Sequence, residues 1–191
     1  IYTAASKKDA ENTLIFNNMG VAQYNLAKIE DAKLSFEKSN SVKENAVAKN
    51  NMAAVHGVQG DRSSAKELLA QASGAGQEVA YNTGILNIMD GNYAEAVSNF
   101  GSKPSYNKAL AQLLEGSIDQ AVSTIDNGMD KESAQGYYLK SVACSRQNNV
   151  DGVVSNLKSA IALDSSYKSK ASKDREFLSF FENVSFSDVV K

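Results

Sequence analysis

Pairs of small residues set twelve positions apart constrain this chain more than any other feature. Gly20 and Ala32, Ala53 and Ala65, Gly84 and Ala96, and Ala109 and Ala121 share that spacing, and Ser141 with Val153 continues the series. Two antiparallel helices approach closely only where the side chains at their crossing are small, so each pair reads as the contact point of a helix hairpin. The stretch Tyr81–Phe100 shows the layout best: a helix, a tight turn at Asp90-Gly91-Asn92, then a second helix. Four positions beyond each second-helix anchor stands a large residue (Phe36, Leu69, Phe100, Ile125, Leu157) that fills the groove towards the next pair. Gly60, Gly91 and Gly116 suit left-handed backbone at the turns, and Asn148 tolerates it. Asp61, Asn92, Ser117 and Asn149 follow and are placed to cap the second helices.

The second-helix anchors Ala32, Ala65, Ala96, Ala121 and Val153 are separated by 33, 31, 25 and 32 residues. Three of these steps lie close to the roughly 34-residue period of a helix-turn-helix array. The short step has a cause in Gly101 and Pro104, which stop the preceding helix early; Pro104 is expected in the first turn of the next one. The hairpins are expected at about 13–40, 46–73, 77–101, 102–128 and 134–164, within a single domain over 1–191. In the first helix, Ile15, Phe16, Met19, Ala22 and Leu26 mark one apolar face. Gly74-Ala75-Gly76 reads only as a join between helices. Residues 1–10 read as a frayed terminus or the tail of a preceding helix. A chain beginning at Ile1 without Met is expected to be a processed product or an excised fragment.

Composition removes several function classes. One proline in 191 residues and little strand-type alternation favour an all-α chain. A formal charge of −2 gives no basic field for nucleic acid. The single cysteine, Cys144, excludes an internal disulfide and a cysteine-based zinc site. No apolar run reaches the roughly 20 residues that a membrane span needs.

The small pairs, the apolar residue that follows each and the turn glycines together resemble the tetratricopeptide repeat (TPR) family over roughly Thr13–Ser165. Phe16 and Tyr137 supply the family's large aromatic, whereas Lys49, Ala80 and Ser105 stand there in the other units. The helix-ending proline is missing, with Ser165 in its place in the fifth unit. The resemblance implies an all-α, right-handed α-solenoid of about five helix-turn-helix units. After Asp164 the pattern changes, and 165–191 is expected to be a C-terminal cap, since a solenoid needs a terminal element with a polar outer face. The asparagine- and serine-rich repeats also resemble exported TPR proteins of Gram-negative bacteria. A periplasmic or outer-membrane location is therefore expected, with a cytoplasmic one left open.

By the same resemblance, the first helices line a concave groove. At one groove position stand Asn18, Asn51, Asn82 and Asn107, and at the preceding one Asn17, Asn50, Tyr81, Tyr106 and Tyr138. An asparagine amide both donates and accepts, so such a ladder can pair with an extended peptide; tyrosine adds contact area at low entropy cost. The alternative reading is that the amides hold neighbouring helices in register. On the groove reading, alanine at Asn51 and Asn82 weakens binding and leaves thermal stability nearly unchanged. A basic clamp for a terminal carboxylate is not expected, because Lys103 and Arg146 stand isolated. His56 reads as a core or rim histidine, and Cys144 as a small buried apolar residue. The acidic residues read as solvated helix surface. No catalytic, metal or cofactor site is expected. The reading is a non-catalytic scaffold for a peptide or protein partner, with self-assembly through the solenoid ends as the alternative.

Overall fold

The computed structural model describes residues 1–72, 74 and 76–191. The expected Gly74-Ala75-Gly76 join includes Ala75, which lies outside them. The described residues form thirteen α-helices and one 3-10 helix, and no strand occurs among them. The chain divides into two compact units, Ile1–Asp90 and Gly91–Lys191. The third expected hairpin, 77–101, is therefore shared between them.

The first unit holds α1 (Tyr2–Lys8), α2 (Thr13–Asn25), α3 (Ile29–Val42), α4 (Ala46–Val58), α5 (Arg62–Gln71) and α6 (Gln77–Met89). α1 lies against α2 and buries none of its own residues. The hairpins α2–α3 and α4–α5 cross where the small pairs stand: Gly20, Ala32, Ala53 and Ala65 are all buried. Phe36 fills the space that Gly20 leaves, with its ring atom Cε1 only 2.5 Å from where a Cβ on Gly20 would sit. Of the expected apolar face of α2, Phe16 is buried but Leu26 is exposed, because the helix has ended and Leu26 is its C-cap. Lys49, in the place of the family's aromatic, lies nearly buried along its stem and pairs its ammonium with Glu44.

The second unit holds α7 (Tyr93–Phe100), α8 (Tyr106–Glu115), α9 (Ile118–Asp126), α10 (Ala134–Arg146), α11 (Val150–Leu163) and α12 (Ser166–Ala171), then the 3-10 helix Arg175–Phe180 and α13 (Val184–Val190). Here too the small pairs are buried at the crossings, Ala109 with Ala121 and Ser141 with Val153. Pro104 does not enter the first turn of α8. It precedes the N-cap Ser105, whose hydroxyl accepts from the Lys108 N–H at 3.3 Å. The expected C-terminal cap is built of three short elements, α12, the 3-10 helix and α13. It contributes Phe177, Phe180 and Phe186 to the core, each almost fully buried.

A second rung, not anticipated from the sequence, repeats the offset of twelve. The side chains of Gln23 and Ser35 meet at 2.6 Å, Thr124 donates to Gln112 at 2.7 Å, and the Asn156 amide faces the Cys144 sulfur at 3.8 Å. The turns behave as their residues require. Gly60, Gly91 and Gly116 have φ of +83°, +82° and +98°, and Asn148 has +56°. Ala27 takes the same left-handed conformation at φ +56° in the first hairpin, a position that its residue type did not signal. Asp61 and Asn149 cap α5 and α11 through their side chains, whereas Asn92 and Ser117 make no side-chain capping bond.

Candidate functional site

α2, α4 and α6 lie side by side, and α3 and α5 pack behind them. A seam of amides joins the three first helices. Asn51 Nδ2 donates to Asn17 Oδ1 at 2.9 Å, Asn82 Nδ2 donates to Asn50 Oδ1 at 3.0 Å, and Asn50 Nδ2 reaches Asn51 Oδ1 at 3.5 Å. The two links between helices run from one position of a first helix to the next position along in the following one, 34 and 32 residues later, and the third joins them within α4. The structure thus brings Asn51 and Asn82 together with Asn17 and Asn50 in a helix-to-helix register. Alanine at either position removes a bond, so near-neutrality in stability is no longer the expectation. Asn18 stands exposed on α2, ahead of the seam.

Counted from Leu14, Val47 and Glu78, positions i, i+4, i+7 and i+11 of the three first helices form stripes that pass through Asn18, Asn51 and Asn82. On these stripes and their borders, Leu14 and Val21 of α2, Val47 and Val58 of α4, and Tyr81 and Met89 of α6 are all exposed. Glu78 is the one charged residue in the stripes. A crevice of about 90 Å³ opens among Tyr24, Ala54, Gly57, Val58, Ile85 and Met89, with Asn82 the one amide in its lining. Sequence reasoning followed the polar residues and missed this surface. Its signal was present as apolar side chains on the side of each helix opposite the small crossing residues.

In the second unit the same first-helix positions are treated differently. Tyr106 and Asn107 are half-buried on α8. Tyr138 is only 4% exposed and does not line an open face. Its hydroxyl donates to Asp174 Oδ2 at 2.6 Å, its ring lies 4.9 Å from that of Tyr167, and the Lys170 ammonium sits 4.4 Å above it. Burial first, and then the bond to Asp174, push the Tyr138 hydroxyl far above its ordinary pKa; burial also raises that of Tyr106. Arg146 is not isolated. Its Nε and Nη2 grip Glu176 at 2.9 and 2.5 Å, and its Nη1 donates to the Leu113 carbonyl at 2.5 Å. Ser145 Oγ donates to the Glu176 carbonyl at 2.5 Å. The cap thus covers Tyr138, Ser145 and Arg146 of α10. Asp174 and Glu176 carried no periodic mark in the sequence.

His56 Nδ1 lies 3.0 Å from Asp61 Oδ2, at the rim where Asp61 caps α5. Cys144 is half-buried, and burial raises its thiol pKa. Among the described residues, no group of three His, Cys, Asp or Glu side chains stands where it would hold a metal. No helix among them is long and apolar enough to cross a membrane.

No family model and no curated protein matches the sequence. Solved structures do match. YrrB, a TPR protein with an unusual peptide-binding site, superposes with a TM-score of 0.58 at 17% identity, over 85% of this chain and 92% of that one. The APC/C hetero-tetramer Cut9–Hcn1 gives 0.76 at 15% identity over 100% of this chain, which spans 44% of the matched chain. A tetratricopeptide repeat protein from Parabacteroides merdae gives 0.67 at 15% identity, over 99% of this chain and 73% of that one. The fold is that of TPR proteins, all-α and built from successive helix hairpins.

Proposed function

We propose that this chain, with a tetratricopeptide repeat fold as its premise, is a non-catalytic scaffold that binds a peptide segment or partner protein along the first-helix face of α2, α4 and α6. The observation that carries the reading is the gathering of exposed apolar side chains on those stripes, where an uncovered helix face is ordinarily polar. Such a surface gains free energy when a partner removes it from water. Asn51 and Asn82 hold the three helices in register, and Asn18 and Tyr81 add polar contact at the edges. Tyr106 and Asn107 occupy the equivalent positions in the second unit, and Tyr138 serves the cap. A peptide-binding site in YrrB and the hetero-tetrameric assembly of Cut9–Hcn1 lend support by fold analogy.

The test uses the full chain and peptides selected on it from a random 16-residue library. Val47→Glu and Val58→Glu, both at exposed positions, are expected to weaken the selected peptides at least tenfold in fluorescence anisotropy with the melting temperature unchanged. Peptides that bind both variants as well as the parent would place recognition elsewhere.

A further inference from the structure

We infer that the ligand of this face is an amphipathic helix presenting an uncharged apolar stripe; the inference rests on that face being the binding surface. A bound extended segment still carries backbone N–H and C=O groups that need partners, which a sheet edge or a row of free amides supplies. Here the amides of the seam are engaged with one another, and Asn18, exposed on α2, is the one ladder amide of these three helices outside it. Asn51 is bonded to Asn17, Asn82 to Asn50, and Asn50 leans on Asn51. What the face offers outward is chiefly apolar: Leu14, Val21, Val47, Val58 and Met89. A helix fits that offer because its backbone groups are satisfied internally, leaving only side chains to be matched.

Size and charge narrow the ligand further. A crevice of about 90 Å³ is smaller than the ~150 Å³ cavity that holds benzene, and well below the ~300 Å³ at which small-molecule pockets begin. It takes one aliphatic side chain, an anchor seated between α4 and α6. Apolar residues recurring along the stripes then receive neighbours at i+3, i+4 and i+7 of the incoming helix. Glu78, in the first turn of α6, is the one charge in the stripes, so a row of charges along the ligand would be desolvated against a wall that offers no partner beyond that end.

Two 16-residue libraries separate the possibilities on the full chain. One fixes apolar residues at i, i+3, i+4 and i+7 in a helix-favouring background. The other keeps the same apolar content and places proline at every fourth position. Enrichment is expected from the helical library, with helical circular dichroism gained on binding. A central proline in the selected peptide should weaken binding at least tenfold. Ala54→Glu, at the crevice, should do the same without moving the melting temperature; if that variant fails to fold, Val58→Glu gives the comparison at an exposed position. Enrichment confined to the proline library overturns the helical ligand and leaves the scaffold reading standing. No enrichment from either library, or binding indifferent to both variants, overturns the two together. Self-association of the full chain that Ala54→Glu abolishes and no peptide competes with assigns the face to a second copy, and likewise overturns the inference.

Discussion

Gly20→Ala tests the close crossing of α2 and α3 through the sign of one free-energy change. At an open site inside a helix, replacing glycine by alanine stabilises by about 1 kcal/mol. At Gly20 the added methyl would stand 2.5, 2.6 and 2.9 Å from three ring carbons of Phe36, against an optimum of about 3.5–4.0 Å between carbons. The ring cannot swing aside into solvent, because Phe36 is 2% exposed. Overpacking of this kind costs about 1–3 kcal/mol, so the net expectation is a loss of about 1 kcal/mol. Urea unfolding of the full chain followed by far-ultraviolet circular dichroism reads it as a lower midpoint. Phe36→Leu removes the clashing ring carbons at its own cost, and in that background Gly20→Ala should cost at least about 0.5 kcal/mol less. A rise in midpoint on Gly20→Ala alone, or the same change in both backgrounds, would refute the steric account of the twelve-residue pairs.

Two further outcomes are expected. Ala27→Gly should raise the urea midpoint by the equivalent of about 0.5–1 kcal/mol, because left-handed backbone costs alanine about 1–2 kcal/mol and the added freedom of glycine when unfolded offsets only part of that; an unchanged or lower midpoint would show no strain at Ala27. Asp90 has its pKa lowered, first by the Lys66 ammonium at 2.6 Å and then by Arg62 at 3.1 Å. A depressed carboxyl contributes stability above its unfolded value of about 3.9, and the contribution fades as pH falls through the lowered folded value. Asp90→Asn should therefore cost stability at pH 6 and narrow the gap from the parent as pH falls below about 4; a gap independent of pH would count against the ion pair.

How much was legible depended on whether a requirement left a local mark. The hairpin crossings did, because contact between helices demands small side chains at a fixed offset, and Gly20 with Ala32 or Ala109 with Ala121 supplies them. Turn chemistry was readable where glycine or Asn148 stands, and silent at Ala27, whose side chain carries no preference for left-handed backbone. Capping was half readable. Asp61 and Asn149 bond the expected N–H groups, while Asn92 and Ser117 hold the same place without doing so. The asparagine ladder was visible as a pattern, but one sequence does not say whether an amide faces a ligand or the next helix. The contacts of Tyr138 and Arg146 depend on acidic residues 36 and 30 positions away, in a segment with no repeat to align them.

The hydroxyl of Tyr138 reaches Asp174 across 36 residues, much as Asn17 reaches Asn51 across 34 and Asn50 reaches Asn82 across 32. Arrays of this type lengthen by copying a whole hairpin, and this link limits what can be spliced in behind α11. A copy of residues 134–164 would set the counterpart of Leu139 against the tyrosine, stranding a buried hydroxyl at about 1–3 kcal/mol. A copy of 46–73 would bring the counterpart of Asn51, whose carbonyl oxygen accepts. An insertion that carries an acceptor at that place is therefore favoured over duplication of the final hairpin itself by about that amount.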